Sequence, residues 1–180
     1  QVFPRFPVKF MPPYAEFEVT TNFSFLRSAS HPAELVKTAA TLGLSAVAVA
    51  DRNTLAGIVR AHQAAKQAGI KLIVGARLDL QDAPSLLCFP TDREAYGRLS
   101  KLITLGRRRA GKGECEICLD DVFAYSGGQL FISLPPWGFP VDNGLETNTA
   151  YRAHLNHLRK ILGRDIWLAA HCRYHGNDSA

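Results

Sequence analysis

Charged and polar side chains follow three of the apolar segments that we predict to be strands. Glu18 and Thr20 lie at the end of the first segment, Asp51 and Arg52 at the end of the second, and Arg77 just after the third. In an α/β barrel these strand ends carry the chemistry, because the loops that follow them converge on one face. Carboxylates in such a place can bind a metal ion that activates water against a phosphoester. Asp51 and Glu18 are the residues of this type, so the sequence indicates a cation site with few ligands.

The segments around these residues alternate between short apolar strands and amphipathic helices, which is typical of β-α-β units in a parallel sheet. Strands are predicted at 15–20, 44–50 and 70–74. The helices between them are predicted at 31–42, with Ser30 as the N-cap and Pro32 at the start, and at 51–68, opened by Asp51 to Thr54. Gly43 and Gly69 are expected to end these helices.

The same alternation continues toward the end of the chain. Further strands are predicted at 78–80, 85–89, 129–134 and 165–170, and further helices after Thr91, near 120–121 and at 147–162. The helix after Thr91 has Leu99, Leu102 and Ile103 on its apolar face, and loops are expected from Gly106 and at 135–144. A closed (β/α)8 barrel takes roughly 200 residues or more, so this chain is predicted to hold part of one.

The composition argues against several classes of protein. Hydrophobic residues make up 47% of the 180 residues, which is enough for an ordinary core, and the net charge of +5 is compatible with a nucleic-acid neighbour without indicating one. Four cysteines are too few for the disulfide framework of a small secreted domain. No apolar stretch approaches the roughly 20 residues that span a bilayer. We therefore expect a cytoplasmic protein with no membrane partner.

A basic segment at 106–113 is the second feature that could bind a ligand. It has the spacing of a phosphate-binding P-loop up to its lysine, but Gly113 stands where the hydroxyl ligand of Mg²⁺ is required and a helix precedes it. A nucleotide site is therefore not predicted. The cations that remain candidates for contact with DNA phosphates are Arg107, Arg108, Arg109 and Lys112. A solvated loop is the alternative.

Four segments, in order, resemble the PHP (polymerase and histidinol phosphatase) domain. AEFEVTTNFSFLRSAS at 15–30 resembles the opening motif of that family, and AVADRNTLAG at 48–57 resembles the second motif. Gly75 to Arg77 falls where the family has Gly-x-Glu, and the segment 84–106 resembles the next strand and helix of the polymerase-type domain. The resemblance runs from Tyr14 to Asn177.

This resemblance implies the fold class and the organisation of the chain. We expect an α/β fold that forms part of a PHP-type distorted (β/α)7 TIM-like barrel with mostly parallel strands. Residues 14–180 are expected to be the N-terminal portion of a PHP domain that is truncated at its C-terminus. Residues 1–13 are expected to be an extended tail of artificial or upstream origin.

The resemblance also implies a degenerate metal cleft. Glu18 and Thr20 occupy the places of the two histidines of the first motif, Arg52 replaces a histidine and Arg77 replaces a glutamate, while Asp51 is kept. Each arginine removes a ligand and adds positive charge to a cation site. We therefore expect no cofactor, with Zn, Mn or Mg in the cleft as the alternative. Our hypothesis is that Arg52 or Arg77 forms an ion pair with Asp51 or Glu18.

His171 and His175 follow the last predicted strand, and His171 is kept as a further metal candidate. Its place after a strand is the reason, because the other histidines fall on predicted helices.

The motifs are similar to those of the error-prone branch of bacterial C-family DNA polymerases, which resemble the DNA polymerase III alpha subunit. The resemblance implies a role in replication, repair and translesion synthesis, with nucleotidyl transfer carried out by a palm domain beyond this segment. The fragment is then expected to be structural, and its partners to be the rest of the polymerase chain, DNA and other mutasome or replication proteins. The alternatives are an active metal-dependent phosphoesterase or 3′–5′ exonuclease, and a DNA-binding module that uses residues 107–112.

Overall fold

Short apolar runs and amphipathic helices build two units, which are described separately. The computed structural model describes residues 13–135 and 145–170. Unit 1 is formed by Gln1–Ala50 and Ala56–Val74, and unit 2 by Asp51–Leu55 and Gly75–Ala180. Two strands, which pass from one unit into the other along the chain, contribute residues to both.

Unit 1 contains the first β-α-β-α-β segment. Its elements are β1 (Ala15–Val19), α1 (Pro32–Thr41), β2 (Ala46–Arg52), α2 (Ile58–Ala68) and β3 (Lys71–Leu78), of which β2 and β3 end in unit 2. The strand order in this unit is β1-β2-β3, and β1 runs parallel to β2 with Ala15 opposite Ala46. Six of the seven residues of β2 are buried, as expected for a strand of parallel type. The two helices pack against each other and bury Val36 and Ala61.

The elements of unit 1 are confirmed, but two helix starts were predicted wrongly. His31, not Ser30, is the N-cap of α1, and its backbone N–H donates to Glu34 Oε2 over 2.8 Å. The residues 51–54, predicted to open α2, include the end of β2, and α2 begins at Ile58. Asp and Asn are common at helix starts, but they are equally suited to the turn that follows a strand. Gly69 ends α2 with φ of +69°, as expected for a left-handed C-cap.

Unit 2 contains the remaining elements and a sheet of mixed direction. They are β4 (Leu86–Pro90), α3 (Arg93–Arg109), α4 (Leu119–Ala124), β5 (Gln129–Ser133), α5 (Leu145–Leu162) and β6 (Ile166–Leu168). The strand order is β3-β4-β5-β6. The β3-β4 and β4-β5 pairs are antiparallel and the β5-β6 pair is parallel. The expectation of mostly parallel strands therefore needs correction here, because a short turn after β3 returns the chain as a hairpin.

The core of unit 2 is formed by one face of α3 together with β4, β5 and α5. Leu99, Leu102 and Ile103 are buried as predicted, and Phe131 and Leu158 belong to the same cluster. Asp92 rather than Thr91 caps α3, since its carboxylate accepts a 2.7 Å hydrogen bond from the N–H of Ala95. The helix continues to Arg109, so the basic loop predicted from Gly106 is helical in its first four residues.

Some predictions concern residues that the structure does not describe, namely the tail before residue 13, most of the 135–144 loop and His171 with His175. None of the helices within 13–135 and 145–170 combines the length and the apolar character required to cross a membrane.

Candidate functional site

A network of charged and polar side chains surrounds Asp79, which directly follows β3 in unit 2. We call this network the Asp79 cluster, and its other members are Arg52, Asn53, Arg77, Ser85 and Arg107. Arg52 and Arg77, the two arginines that the resemblance assigns to ligand positions, both belong to it.

The Asp79 carboxylate is bound by three side chains. Arg52 Nη1 donates to Oδ2 over 2.8 Å, and Arg77 Nε donates to Oδ1 over 2.8 Å. Ser85 Oγ donates to Oδ1 over 2.7 Å, and Arg77 Nη2 in turn donates to Ser85 Oγ over 3.2 Å. The bonds to the carboxylate are charge-assisted hydrogen bonds, which are roughly twice as strong as neutral ones.

Asn53 fixes the backbone around this carboxylate. It has φ of +48°, a left-handed conformation that asparagine tolerates better than most residues. Its side-chain Oδ1 accepts from the Asp79 N–H over 3.0 Å, and its own N–H donates to the Arg77 carbonyl over 2.8 Å. Its carbonyl accepts from Arg107 Nη2 over 2.8 Å and from Arg107 Nε over 3.2 Å. The turn after β2 is thus tied both to the end of β3 and to the last turn of α3.

Partial burial makes these charges dependent on one another. The side chains of Arg52, Arg77 and Asp79 are 31%, 22% and 30% exposed. Burial is the largest single influence on the pKa of Asp79 and acts to raise it. The hydrogen bonds from Arg77 and Ser85 and the positive charges of Arg77 and Arg52 together outweigh burial, so the pKa of Asp79 lies below its ordinary value. The carboxylate is therefore ionised at neutral pH.

We expect the stabilisation by Asp79 to depend on pH in one direction. The pKa of Asp79 is lower in the folded state than in the unfolded state. The contribution of Asp79 to the free energy of unfolding is therefore complete above the unfolded-state pKa of about 3.9 and is lost as the pH falls through the folded-state pKa. Urea denaturation measures the difference in unfolding free energy between the original chain and an Asp79→Asn variant. This difference should be constant from about pH 5 to about pH 8 and should shrink in stronger acid. A difference that grows in acid would contradict this assignment.

The other predicted ligands lie on or directly after strands. Asp51 is in β2 and is 1% exposed. Glu18 is in β1 and half-buried, its N–H donating to Glu16 Oε1 over 3.0 Å, and Thr20 directly follows that strand. Arg77 was expected after the third strand but lies within β3, whose last residue is Leu78. The ion pairs shown for Arg52 and Arg77 use Asp79, a residue not among the predicted partners.

One signal in the sequence could have pointed to Asp79. Residues i and i+2 of an extended chain project to the same side, so an acid two positions after Arg77 is placed to bind it. Asn53 and Ser85 carry no comparable signal, because their contacts come from distant parts of the chain.

Two of the positions that the resemblance assigns to metal ligands carry side chains that cannot bind a metal ion. Guanidinium groups have no lone pair to offer and are positively charged, and Arg52 and Arg77 each form an ion pair with Asp79. Within residues 13–135 and 145–170, no group of three or more His, Cys, Asp or Glu side chains is arranged to bind a metal. What the Asp79 cluster offers instead is a set of ion pairs and hydrogen bonds that join the ends of β2, β3 and α3.

The predicted DNA-contacting cations do not act as one group. Arg107 binds the carbonyl of Asn53, and Arg109 forms a salt bridge with Asp121, its Nη2 lying 2.9 Å from Oδ1. Hydrogen bonding to Arg109 is the main reason that the pKa of Asp121 is lowered. Arg108 and Lys112 are exposed. Two of the four candidates are thus engaged in holding the fold.

Comparison with known proteins places the chain in a family. The family model described as "PHP domain" matches residues 16–167. An error-prone DNA polymerase of Caulobacter vibrioides is 48% identical over 168 residues, which cover 93% of this chain and 15% of that protein. An error-prone DNA polymerase of Allorhizobium ampelinum is 57% identical over 122 residues, 68% of this chain and 11% of that protein. The chain therefore spans only 11% to 15% of the length of these curated relatives.

Two solved structures show the same fold at low sequence identity. A protein of Bifidobacterium adolescentis assigned as a metal-dependent phosphoesterase has a TM-score of 0.63 and 18% identity, with 88% of this chain and 77% of that chain covered. An amidohydrolase of Chromobacterium violaceum, with bound sulfate and no metal, has a TM-score of 0.64 and 14% identity, with 84% and 75% covered. They confirm the α/β class of a partial TIM-like barrel. The family match over residues 16–167 shows that this chain belongs to the PHP domain family.

Proposed function

We propose that this chain is the PHP module of an error-prone DNA polymerase and that it acts there as a structural element without metal chemistry. Its identity of 48% to 57% with error-prone polymerases supports the parent protein, which would act in DNA replication, repair and translesion synthesis in the bacterial cytoplasm. The nucleotidyl transfer of such a polymerase would belong to the part of the relatives that this chain does not match.

The observation that carries the proposal is the binding of Arg52 and Arg77 to the same carboxylate. Two positive charges face one negative charge at positions where the family has a neutral histidine and an anionic glutamate. Each guanidinium group would repel a metal ion placed beside it, since two unit charges about 4 Å apart repel by about 4 kcal/mol at an effective dielectric of 20. The ion pairs of the Asp79 cluster thus hold the ends of β2 and β3 together, as a bound metal would do in a cleft with all its ligands.

An exposed apolar turn supports contact with the rest of the polymerase. Phe25 and Leu26 lie in the turns after β1 and are 83% and 86% exposed, and Leu26 has φ of +59°. A non-glycine residue held in the left-handed region is strained by about 1 to 2 kcal/mol, so this conformation is not the default of a free loop. The remaining polymerase chain is the partner that we infer for this pair.

A metal measurement tests the proposal. The whole chain, exchanged against Zn²⁺ or Mn²⁺ and then desalted, is expected to retain far less than one ion per molecule by elemental analysis. It is also expected to release no nucleotide from labelled single-stranded DNA in the presence of Mn²⁺. Asp51→Ala, at the kept family position, and Asp120→Ala, at an exposed surface position, serve as the test and control variants.

The active phosphoesterase or exonuclease makes the opposite prediction. Stoichiometric metal and nucleotide release that are lost in Asp51→Ala but kept in Asp120→Ala would establish that function and remove the structural one.

A further inference from the structure

An open groove of about 630 Å³ lies along the outer side of α3 in unit 2. We call it the α3 groove, and its polar lining consists of Ser100, Lys101, Thr104, Arg108, Arg109 and Tyr125. Lys101, Thr104 and Arg108 are spaced by three and four residues, which places them on one face of the helix. Tyr125, directly after α4, also lines the groove.

The groove is cationic. Lys101 and Arg108 are both exposed, and within the part of the chain that the structure describes neither forms an ion pair. Arg109 is balanced by Asp121, and no acidic side chain is among the described residues that line the groove. Two positive charges therefore remain available to an anionic ligand.

The hydroxyl groups of the lining have suitable chemistry for phosphate oxygens. Thr104 Oγ1 already donates to the Ser100 carbonyl over 2.8 Å, which leaves the hydroxyls of Ser100 and Tyr125 as donors. Contacts from Arg and Lys together with Ser and Tyr hydroxyls are typical of nucleic-acid backbone recognition. An acidic peptide would use the cations but would gain less from hydroxyls and from an aromatic ring.

We propose that the α3 groove binds the phosphate backbone of a single-stranded nucleic acid. Seven residues of helix separate Lys101 from Arg108, which is about 10.5 Å at 1.5 Å per residue. A strand that keeps the stacked spacing of duplex DNA, with one phosphate per roughly 3.4 Å, presents about three phosphates over that length, and a more extended strand presents fewer. Tyr125 adds an aromatic side chain to a positively charged groove, the combination that single-strand binding proteins use.

This inference goes beyond the structural role proposed above and does not depend on the state of the metal cleft. It also differs from a loop that binds DNA through residues 107–112, because Arg107 and Arg109 are engaged within the fold. In the α3 groove the phosphate contacts are instead assigned to Arg108 and to Lys101, which lies about one and a half helical turns before that segment.

Fluorescence anisotropy with a labelled thymidine oligonucleotide of about 20 nucleotides tests the proposal on the whole 180-residue chain. The Lys101→Ala/Arg108→Ala variant is expected to lose affinity by about tenfold or more at low salt. Its plot of log K against log salt concentration is expected to be shallower by about 1.4, since each phosphate contact of a single strand contributes about 0.7. A Lys66→Ala/Arg93→Ala variant, which removes two exposed cations outside the groove, is the charge-matched control and should change affinity by less than about threefold.

Three results would overturn the proposal. Equal losses in the groove variant and its control would mean that net charge alone attracts the strand. A larger loss in Lys112→Ala than in the groove variant would place binding on the loop. Binding of a polyglutamate peptide with no binding of the oligonucleotide would identify an acidic protein segment as the ligand. Circular dichroism of each variant confirms that the fold is retained, and Lys101→Glu/Arg108→Glu should abolish oligonucleotide binding.

Discussion

Replacing Asp79 by alanine is expected to lower the free energy of unfolding by about 3 kcal/mol, because it removes a carboxylate that forms ion pairs with two partly buried guanidinium groups. Arg52 and Arg77 are no more than 31% exposed, so water restores only part of the lost interaction. Ser85 loses the acceptor of its 2.7 Å hydrogen bond as well. Urea denaturation followed by circular dichroism measures the change, and Glu114→Ala, at an exposed acidic position, is the control with an expected change within about 0.5 kcal/mol.

The same cluster predicts that most of this loss comes from the charges of Arg52 and Arg77 once the Asp79 carboxylate is removed. A triple variant with Arg52→Met, Arg77→Met and Asp79→Leu removes all three charges together. It is expected to be within about 1 kcal/mol of the original chain, because replacing a whole ion-pair group by apolar side chains is often close to neutral. If the Asp79→Ala variant were as stable as the Glu114→Ala variant, the Asp79 cluster would not stabilise the fold, and the proposed function would lose its main support.

Replacing Gly106 by alanine is expected to destabilise the protein by about 2 kcal/mol through overpacking. A methyl group at this position would lie 2.5 Å from Ile117 Cγ1, 2.8 Å from Cys115 Sγ and 3.0 Å from the Glu116 carbonyl oxygen. Ile117 is fully buried, and the Glu116 N–H donates to the Gly106 carbonyl over 3.0 Å, so neither neighbour can move away freely. The close approach of the 115–117 segment to α3 requires a residue without a side chain here.

Gly97 provides a control in the same helix. A methyl group at Gly97 would meet no atom within 4 Å, so Gly97→Ala should gain the helix propensity of alanine and stabilise the protein by up to about 1 kcal/mol. Thermal unfolding of the two variants should therefore shift in opposite directions. A Gly106→Ala variant that is as stable as Gly97→Ala would show that the 115–117 segment is free to move.

Much of the fold could be predicted from local patterns. The strand at 15–20 and the apolar face of α3 with Leu99, Leu102 and Ile103 are confirmed, because alternation of apolar residues and helical spacing reflect burial directly. Two of the wrong boundaries have a common reason. Residues 51–54 have the composition of a helix start and Gly106 that of a loop, yet distant partners decide both conformations.

The residue types along the chain were sufficient to assign the family, because motif identity is a property of sequence order, and the same motifs imply that Arg52 and Arg77 stand at two ligand positions. The partner of those arginines could not be obtained in this way. Asp79 binds Arg52 from 27 positions away, and Asn53, 26 positions away, orients its backbone. Such contacts depend on which strands become neighbours and on how deeply their ends are buried. The motifs therefore imply a cleft altered in charge, and folding determines that Arg52 and Arg77 form ion pairs with Asp79 while Lys101 and Arg108 remain exposed along α3.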